Sequence, residues 1–385
     1  MVVQLSDRSV LGPADVSDAE LAGIVAGWLG ESPDDLAAVR SHAEVVPYDL
    51  DAITTAGRYW VRGEAQTPSG VRAFSFFVKH VQSWSRSPLF AAIPPDFRES
   101  AEASVPWRTE PLIYRSDLRD RLPAGLTMPR AVAVRDLDEK SAAVWLEEVP
   151  IVSRVWTERH LARAAYLLGR LAASPAVREL AGIGGNPDGR PVRGYLHGRL
   201  FHQILPMLRG EEIWQHPLVA PTFDADVRRR LLAAADQLPA YVDEIEQLPV
   251  GASHGDACTN NILVQPDADD LVLIDFGFWM PEPFGFDLGQ LLLGDVQLGR
   301  SPAAELNRNE RACTSAYIEG LRREGCDVDG ARVRRAHALL MLIFSGMSAI
   351  PVEHLGSAPT PELLRIAAER AAAARFMLDL VDATA

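Results

Sequence analysis

Lysine is almost missing from this chain. Of its 38 basic residues only Lys79 and Lys140 are lysines, and the rest are arginine. Such a bias reflects genome composition, and it raises the question of why a lysine stands inside the apolar run "FSFFVKHV". Cysteine is also scarce: Cys258, Cys313 and Cys326 are odd in number and lack metal-ligand spacing. That excludes a disulfide framework and suits unpaired thiols in a reducing cytoplasm. Long hydrophobic runs are absent as well. The longest, Ala338 to Ile350, is interrupted by Ser345, Gly346 and Ser348, so it reads as a buried helix too short to cross a bilayer. The opening MVVQLSDRSVLG has no basic stretch leading into an apolar one, and no signal peptide is expected. Positive charge is in deficit, with a formal net charge of −14. That field disfavours nucleic acid and anionic membranes and mildly favours a cationic small molecule, although many cytoplasmic proteins are simply acidic. No G-x-x-x-x-G-K-[ST] or H-E-x-x-H occurs, which argues against a P-loop enzyme and a zinc hydrolase. His197, His202 and His216 have no metal spacing and read as structural.

What is present suits a globular protein of two lobes. The 385 residues are 48% hydrophobic and 23% charged, without low-complexity tracts or internal repeats. Ser17 or Asp18 caps a helix with Leu21, Ile24, Val25, Trp28 and Leu29 on one face. Strands are expected at 44–50, 58–63 and 71–81, with a turn at 66–70. Lys79 near the end of the third is costly there unless an anion meets it; the alternative is an edge-strand lysine facing water. A helical stretch from about Glu102 to Leu122 carries Glu110, and strands at 129–135 and 141–149 follow. Beyond Pro150 the pattern is helical, at 157–173, 223–247, 304–324, 330–350 and 361–382. This divides the chain into an N-terminal lobe at 1–146, a hinge at 147–150 and a helical lobe at 151–385. The cleft between lobes is the default ligand site.

One polar segment interrupts the helical half: "SHGDACTNNILVQPDADDLVLIDFGFW", residues 253–279. Residues 262–264 and 271–274 are short apolar β-branched runs around the turn-forming 265–270, which reads as a hairpin. Asp256 and Asn261 lie in the loop entering its first strand, and Asp275 lies at the exit of its second. Two carboxylates and an amide brought together make a hard oxygen site suited to Mg²⁺.

His254-Gly255-Asp256, Asn261 and Ile274-Asp275-Phe276-Gly277 resemble the catalytic and metal loops of the aminoglycoside phosphotransferase family. The likeness extends through Lys79, Glu110, "WLEEV", "GFDLGQLL" and "TSAYIEGLRREG", from about residue 40 to 350. It implies an α+β, bilobal protein-kinase-like fold with a β-rich N-terminal lobe, an αC-type helix and a mainly helical C-terminal lobe. It also implies ATP as co-substrate, with GTP left open, and Mg²⁺ as cofactor. Asp256 would orient or deprotonate the acceptor hydroxyl, while Asn261 and Asp275 hold the metal. Lys79, with Glu110 as counter-ion, would contact the phosphates, and the backbone of Glu147 to Val149 would meet the adenine edge. His254 would orient its loop. Asp287 would brace the catalytic loop, and a helix N-cap fits that position equally.

The chain departs from the kinase pattern in having no G-x-G-x-x-G between the first strands. The equivalent "DAITTAGRYW" leaves Thr54, Thr55 and Gly57 as phosphate donors. The glycine-containing 182–189 reads as a surface loop. A protein kinase is disfavoured, because Gly255 stands where an arginine would meet an activation-loop phosphate, and little chain separates Asp275 from Asp287. The expected partner is a small hydroxylated acceptor on the helical lobe, with no nucleic acid or membrane; nothing in the sequence sets the oligomeric state. Glu282 and Trp279 either receive that acceptor, by charge and stacking, or Trp279 packs behind the metal loop. The acceptor is an aminoglycoside or other antibiotic, which would make the role resistance, or a metabolite such as an amino sugar or choline-like amino alcohol. A catalytically silent nucleotide-binding protein is the remaining alternative.

Overall fold

The computed structural model describes residues 7–47, 52–153, 155–185, 191–266 and 270–385. Residues 1–6, 48–50 of the first expected strand, Asp51, 186–189 of the surface loop and 267–269 of the hairpin turn lie outside them.

The first half is built on a five-stranded antiparallel sheet in the order β1-β2-β3-β6-β5. Its strands are β1 (Ala38–Val45), β2 (Thr55–Thr67), β3 (Gly70–Gln82), β5 (Ala131–Asp138) and β6 (Ser141–Glu147), with a short β4 (Leu126–Thr127) belonging to another sheet. β1 lies earlier than its expected 44–50. It is a largely exposed edge strand, so little hydrophobic alternation marked its position. Helix α1 (Asp18–Leu29) starts in a capping box in which Ser17 and Glu20 satisfy each other's backbone N–H. With Leu11, Ala14 and Val16 it covers one sheet face, burying Leu21 and Val25 against Val61, Phe74 and Trp145. Each such side chain contributes about 1.5–3 kcal/mol.

The other face packs on the helix that carries Glu110. The single helix expected at 102–122 is three: α2 (Arg98–Ser104), α3 (Thr109–Arg115) and α4 (Leu118–Arg121). Pro106 pushes Val105 into extended backbone and ends α2. Ser116 is extended and turns its hydroxyl onto the Leu118 N–H to begin α4.

After β6 the chain turns helical at α5 (Glu158–Ala173). Short pieces follow, α6 (Pro175–Arg178), α7 (Pro191–Tyr195), α8 (Leu205–Arg209) and α9 (Glu211–Gln215), and then the long α10 (Ala225–Ile245). β7 (Val250–Ser253) pairs with β10 (Met280–Pro283), while β8 (Ile262–Val264) and β9 (Leu271–Leu273) form the expected hairpin, with β4 added parallel to β9. Helices α11 (Phe286–Gln297), α12 (Leu306–Arg323), α13 (Gly330–Met341) and α14 (Pro361–Ala383) complete the lobe. α5 and α12 cross closely: a Cβ on Gly169 would lie 2.2 Å from the Tyr317 carbonyl oxygen. The whole is the expected bilobal, protein-kinase-like α+β arrangement. Among the described residues no helix is long and apolar enough to cross a membrane.

Candidate active site

Lys79 is the centre from which the site can be built. It is buried on β3, where a lone ammonium would be costly, and it bridges two carboxylates. Its Nζ lies 2.6 Å from Glu110 Oε2 on α3 and donates to Asp275 Oδ1 at 2.8 Å, across 196 residues of chain. Burial alone would lower the Lys79 pKa, but the charges of Asp275 and Glu110 outweigh it and hold the ammonium above its ordinary range. The same contact outweighs burial at Asp275 and keeps that carboxylate low, whereas burial prevails at Glu110 and raises it.

Asp275 is the one described non-glycine residue with left-handed backbone, at φ 63° and ψ 68°. Such a conformation costs about 1–3 kcal/mol and persists where the surroundings impose it, often at functional sites. Here the end of β9 and the following turn, Phe276–Phe278, hold it. Phe276 is buried in a ring stack, 5.0 Å from His254 and 5.8 Å from Tyr114 between centroids.

The loop after β7 carries the remaining groups. Gly255 has φ 81°, and a Cβ there would sit 2.0 Å from the Phe278 carbonyl oxygen, so the metal-loop backbone passes where a side chain would be. His254 is fully buried. Its Nε2 lies 2.9 Å from the Ile274 carbonyl and its Nδ1 faces the Asp256 N–H at 3.4 Å. Only the tautomer protonated on Nε2 satisfies both contacts, and its Nδ1 is then an acceptor already facing a backbone donor. Asp287 accepts from the Ser253 hydroxyl and from the His254 and Gly255 N–H groups at 2.8–3.0 Å. The carboxylate sits on the second residue of α11, two positions past the N-cap Gly285, and it ties down the backbone at 254–255. Asn261 Nδ2 donates to both the Asp256 carbonyl and Asp256 Oδ2, at 2.9 Å each. Two acceptors on that side fix the amide's orientation and leave its oxygen for another partner. Burial raises the Asp256 carboxyl above the usual range.

The donor set suits Mg²⁺. Among the described residues no three His, Cys, Asp or Glu side chains form a cage, so a metal here would be completed by phosphate oxygens, as Mg²⁺ prefers.

At the start of the sheet, β2 begins with a bulge between Thr55 and Gly57, and Tyr59 folds its hydroxyl over Gly57. The Glu147 N–H is taken by the Arg130 carbonyl, and its carboxylate accepts the Arg130 N–H. Among the described residues no backbone bond occupies the N–H of Val149, just past the end of β6.

The two residues named for the acceptor lie in the interior. Trp279 is buried, with Nε1 donating to the Leu180 carbonyl at 2.7 Å, and it packs on Phe276. It is core packing. Glu282 is 2% exposed on β10, and its Oε2 has no partner among the described residues. Burial, with Asp287 adding to it, pushes its pKa up to about 8, so it stands as a neutral acid inside the lobe and not as an anion at a cleft. Alternation along so short a strand could not reveal which face was buried.

Sequence reading also missed residues. Arg58 is the cross-strand partner of Lys79, on the same face of the sheet, and its charge lowers both Glu110 and Asp275. The signal was available: a two-residue turn at Pro68-Ser69 sets Arg58 opposite Lys79. Tyr114, four residues beyond Glu110 on α3, is buried with its hydroxyl unpartnered among the described residues.

Residues 113–325 match the family model of the phosphotransferase enzyme family. The chain belongs to that family. It is thus a small-molecule phosphotransferase. Solved structures with similar chains include an aminoglycoside phosphotransferase from Alicyclobacillus acidocaldarius, at 16% identity over 88% of this chain and 91% of that one, with a TM-score of 0.49. An ethanolamine kinase of Plasmodium vivax aligns at 12% identity over 89% and 82%, with a TM-score of 0.45. The aminoglycoside phosphotransferase APH(3'')-Id of Streptomyces rimosus aligns at 19% over 86% and 99%, with a TM-score of 0.37. No curated protein matches the chain.

Proposed function

We propose that this phosphotransferase uses ATP and transfers its γ-phosphoryl group to a hydroxyl of a small acceptor, with Asp256 at the point of transfer. The observation that carries this reading is the cluster of buried Lys79 and Glu110 with the half-buried Asp275, drawn from three distant stretches of chain. Phosphoryl transfer needs positioning and charge neutralisation more than covalent chemistry. Lys79, with Arg58 beside it, binds the phosphates, and Glu110 keeps the ammonium in place. Thr55 and Gly57 at the start of β2 line the phosphate end, and the backbone of Glu147 and Val149 faces the base. Asn261 and Asp275 would hold Mg²⁺, which when bound neutralises phosphate charge. Asp256, held by the Asn261 amide, receives the acceptor's hydroxyl proton and aligns its oxygen for transfer. His254 and Asp287 keep the loop in that position.

The test is ADP release from Mg·ATP across hydroxylated acceptors: amino sugars, amino alcohols, nucleosides, macrolides and aryl glycosides. One acceptor that stimulates release in the wild type, and not in Asp256→Asn, supports the reading. Silence across the panel with ATP bound favours a silent nucleotide-binding protein.

A further inference from the structure

The helical lobe contains two π-helical segments, Leu196–Ile204 and Leu342–Gly346. Such segments are uncommon and frequently mark functional sites. These two meet through rings. Tyr195, immediately before the first, stacks on Phe344 in the second, with centroids 4.4 Å apart and planes 17° apart. Phe286 meets the far edge of Phe344 at 5.0 Å, and the Tyr195 hydroxyl lies 3.3 Å from Ser348 Oγ. All three rings are half-buried and pack on the core with part of their surface left to solvent. They begin one residue from Asp287, the carboxylate that braces the catalytic loop. On the other flank of that loop Phe278 is 42% exposed, with its carbonyl packed against Gly255.

Charge is equally informative. Residues 191–210 contain no Asp or Glu, but they do carry Arg193, Arg199 and Arg209 with His197 and His202. Among the described residues, Asp287 is committed to the loop, Glu353 to Arg370, Asp243 and Glu246 to Arg193, Asp236 to Arg209, and Glu282 to the interior. A polycation brought here would lose water without gaining anions from this segment. A flat apolar face would gain stacking on Tyr195 and Phe344.

We propose that the acceptor is an uncharged hydroxylated molecule with a flat aryl or apolar face, seated on Tyr195, Phe344 and Phe286, and not a polycationic amino sugar. This rests on the reading of Asp256 as the residue that receives the acceptor hydroxyl, and it names the chemistry of what is delivered there.

The experiment measures binding to the full chain loaded with Mg·ADP, by calorimetry and saturation-transfer NMR. The probes are 4-nitrophenyl β-glucoside, methyl β-glucoside and the polycationic amino sugar neamine. The aryl glucoside is expected to bind saturably, about ten-fold tighter than its methyl counterpart, with neamine showing no saturable binding at physiological salt. Tyr195→Ala should erase the aryl preference. Phe278→Ser, at an exposed position, should reduce it and serves where Tyr195→Ala fails to fold. Saturable, salt-resistant neamine binding, or no aryl preference in the wild type, overturns the proposal. Binding does not require the transfer step, so Asp256→Asn should keep the preference. Preference without Asp256-dependent transfer would count against the catalytic reading alone, and transfer without preference against this inference alone.

Discussion

The two flanks of Asp256 are built from different chemistry. On the side proposed for the nucleotide, buried Lys79 and Glu110 and half-buried Arg58 and Asp275 crowd opposite charges together, with Asp275 in strained backbone. On the side proposed for the acceptor, Tyr195, Phe344 and Phe286 form a half-buried ring cluster, and residues 191–210 have no carboxylate. Phosphate chemistry demands fixed charges in fixed places, so the first flank tolerates few alternatives. An acceptor wall needs only shape and a suitable surface, which many residue combinations supply. One flank therefore states its ligand and the other states only its ligand's character.

That contrast can be broken from the charged side. Asp275→Ala should lower Mg²⁺-dependent nucleotide affinity by at least about a hundred-fold, since a ligand and a partner of Lys79 disappear together. Calorimetry with and without Mg²⁺ reads this, and aryl-glucoside binding to the same variant should persist. Unchanged nucleotide affinity would remove Asp275 from the metal site. Because the substitution also removes one anion from Lys79, the melting temperature of the variant belongs in the same measurement.

A smaller effect lies beneath both flanks, at Glu282. Its folded pKa of about 8 stands above the ordinary 4.5 for a glutamate. A carboxyl raised in this way favours the folded state fully below its unfolded pKa, and the benefit is lost as pH rises through the folded value. Stability should therefore fall between about pH 5 and pH 8 by up to about 3–5 kcal/mol from this group. Glu282→Gln, neutral at every pH, should flatten that part of a denaturation-versus-pH profile. An unchanged slope would mean that Glu282 is ionised in the folded protein.

The legibility of the sequence follows the same division. Asp256, Asn261 and Asp275 could be singled out as candidates because carboxylates and amides at the ends of short apolar strands have few structural uses. Lys79 was readable because lysine is otherwise so rare. Helices α5, α10, α12 and α14 were bounded within a few residues by their apolar periodicity. Less visible was anything set by register or by breaks. Arg58 needed the pairing of β2 with β3, and Tyr114 needed α3 to be separated from α2. Trp279 and Glu282 were left open because an aromatic and an acid near a polar loop look the same in sequence whether they face solvent or core, and both are buried. The π-helical turns left no periodic signature, since one extra residue per turn is invisible in a helical pattern.

The most direct test of the central claim is single-turnover phosphoryl transfer in wild type and Asp256→Asn, with nucleotide affinity measured on the same preparations. The account predicts a loss in transfer rate of about 10²–10⁴-fold, the range for a positioned general base, with nucleotide affinity held within about three-fold. Transfer that survives within a few-fold, at unchanged affinity, would contradict it and move the chemistry away from Asp256.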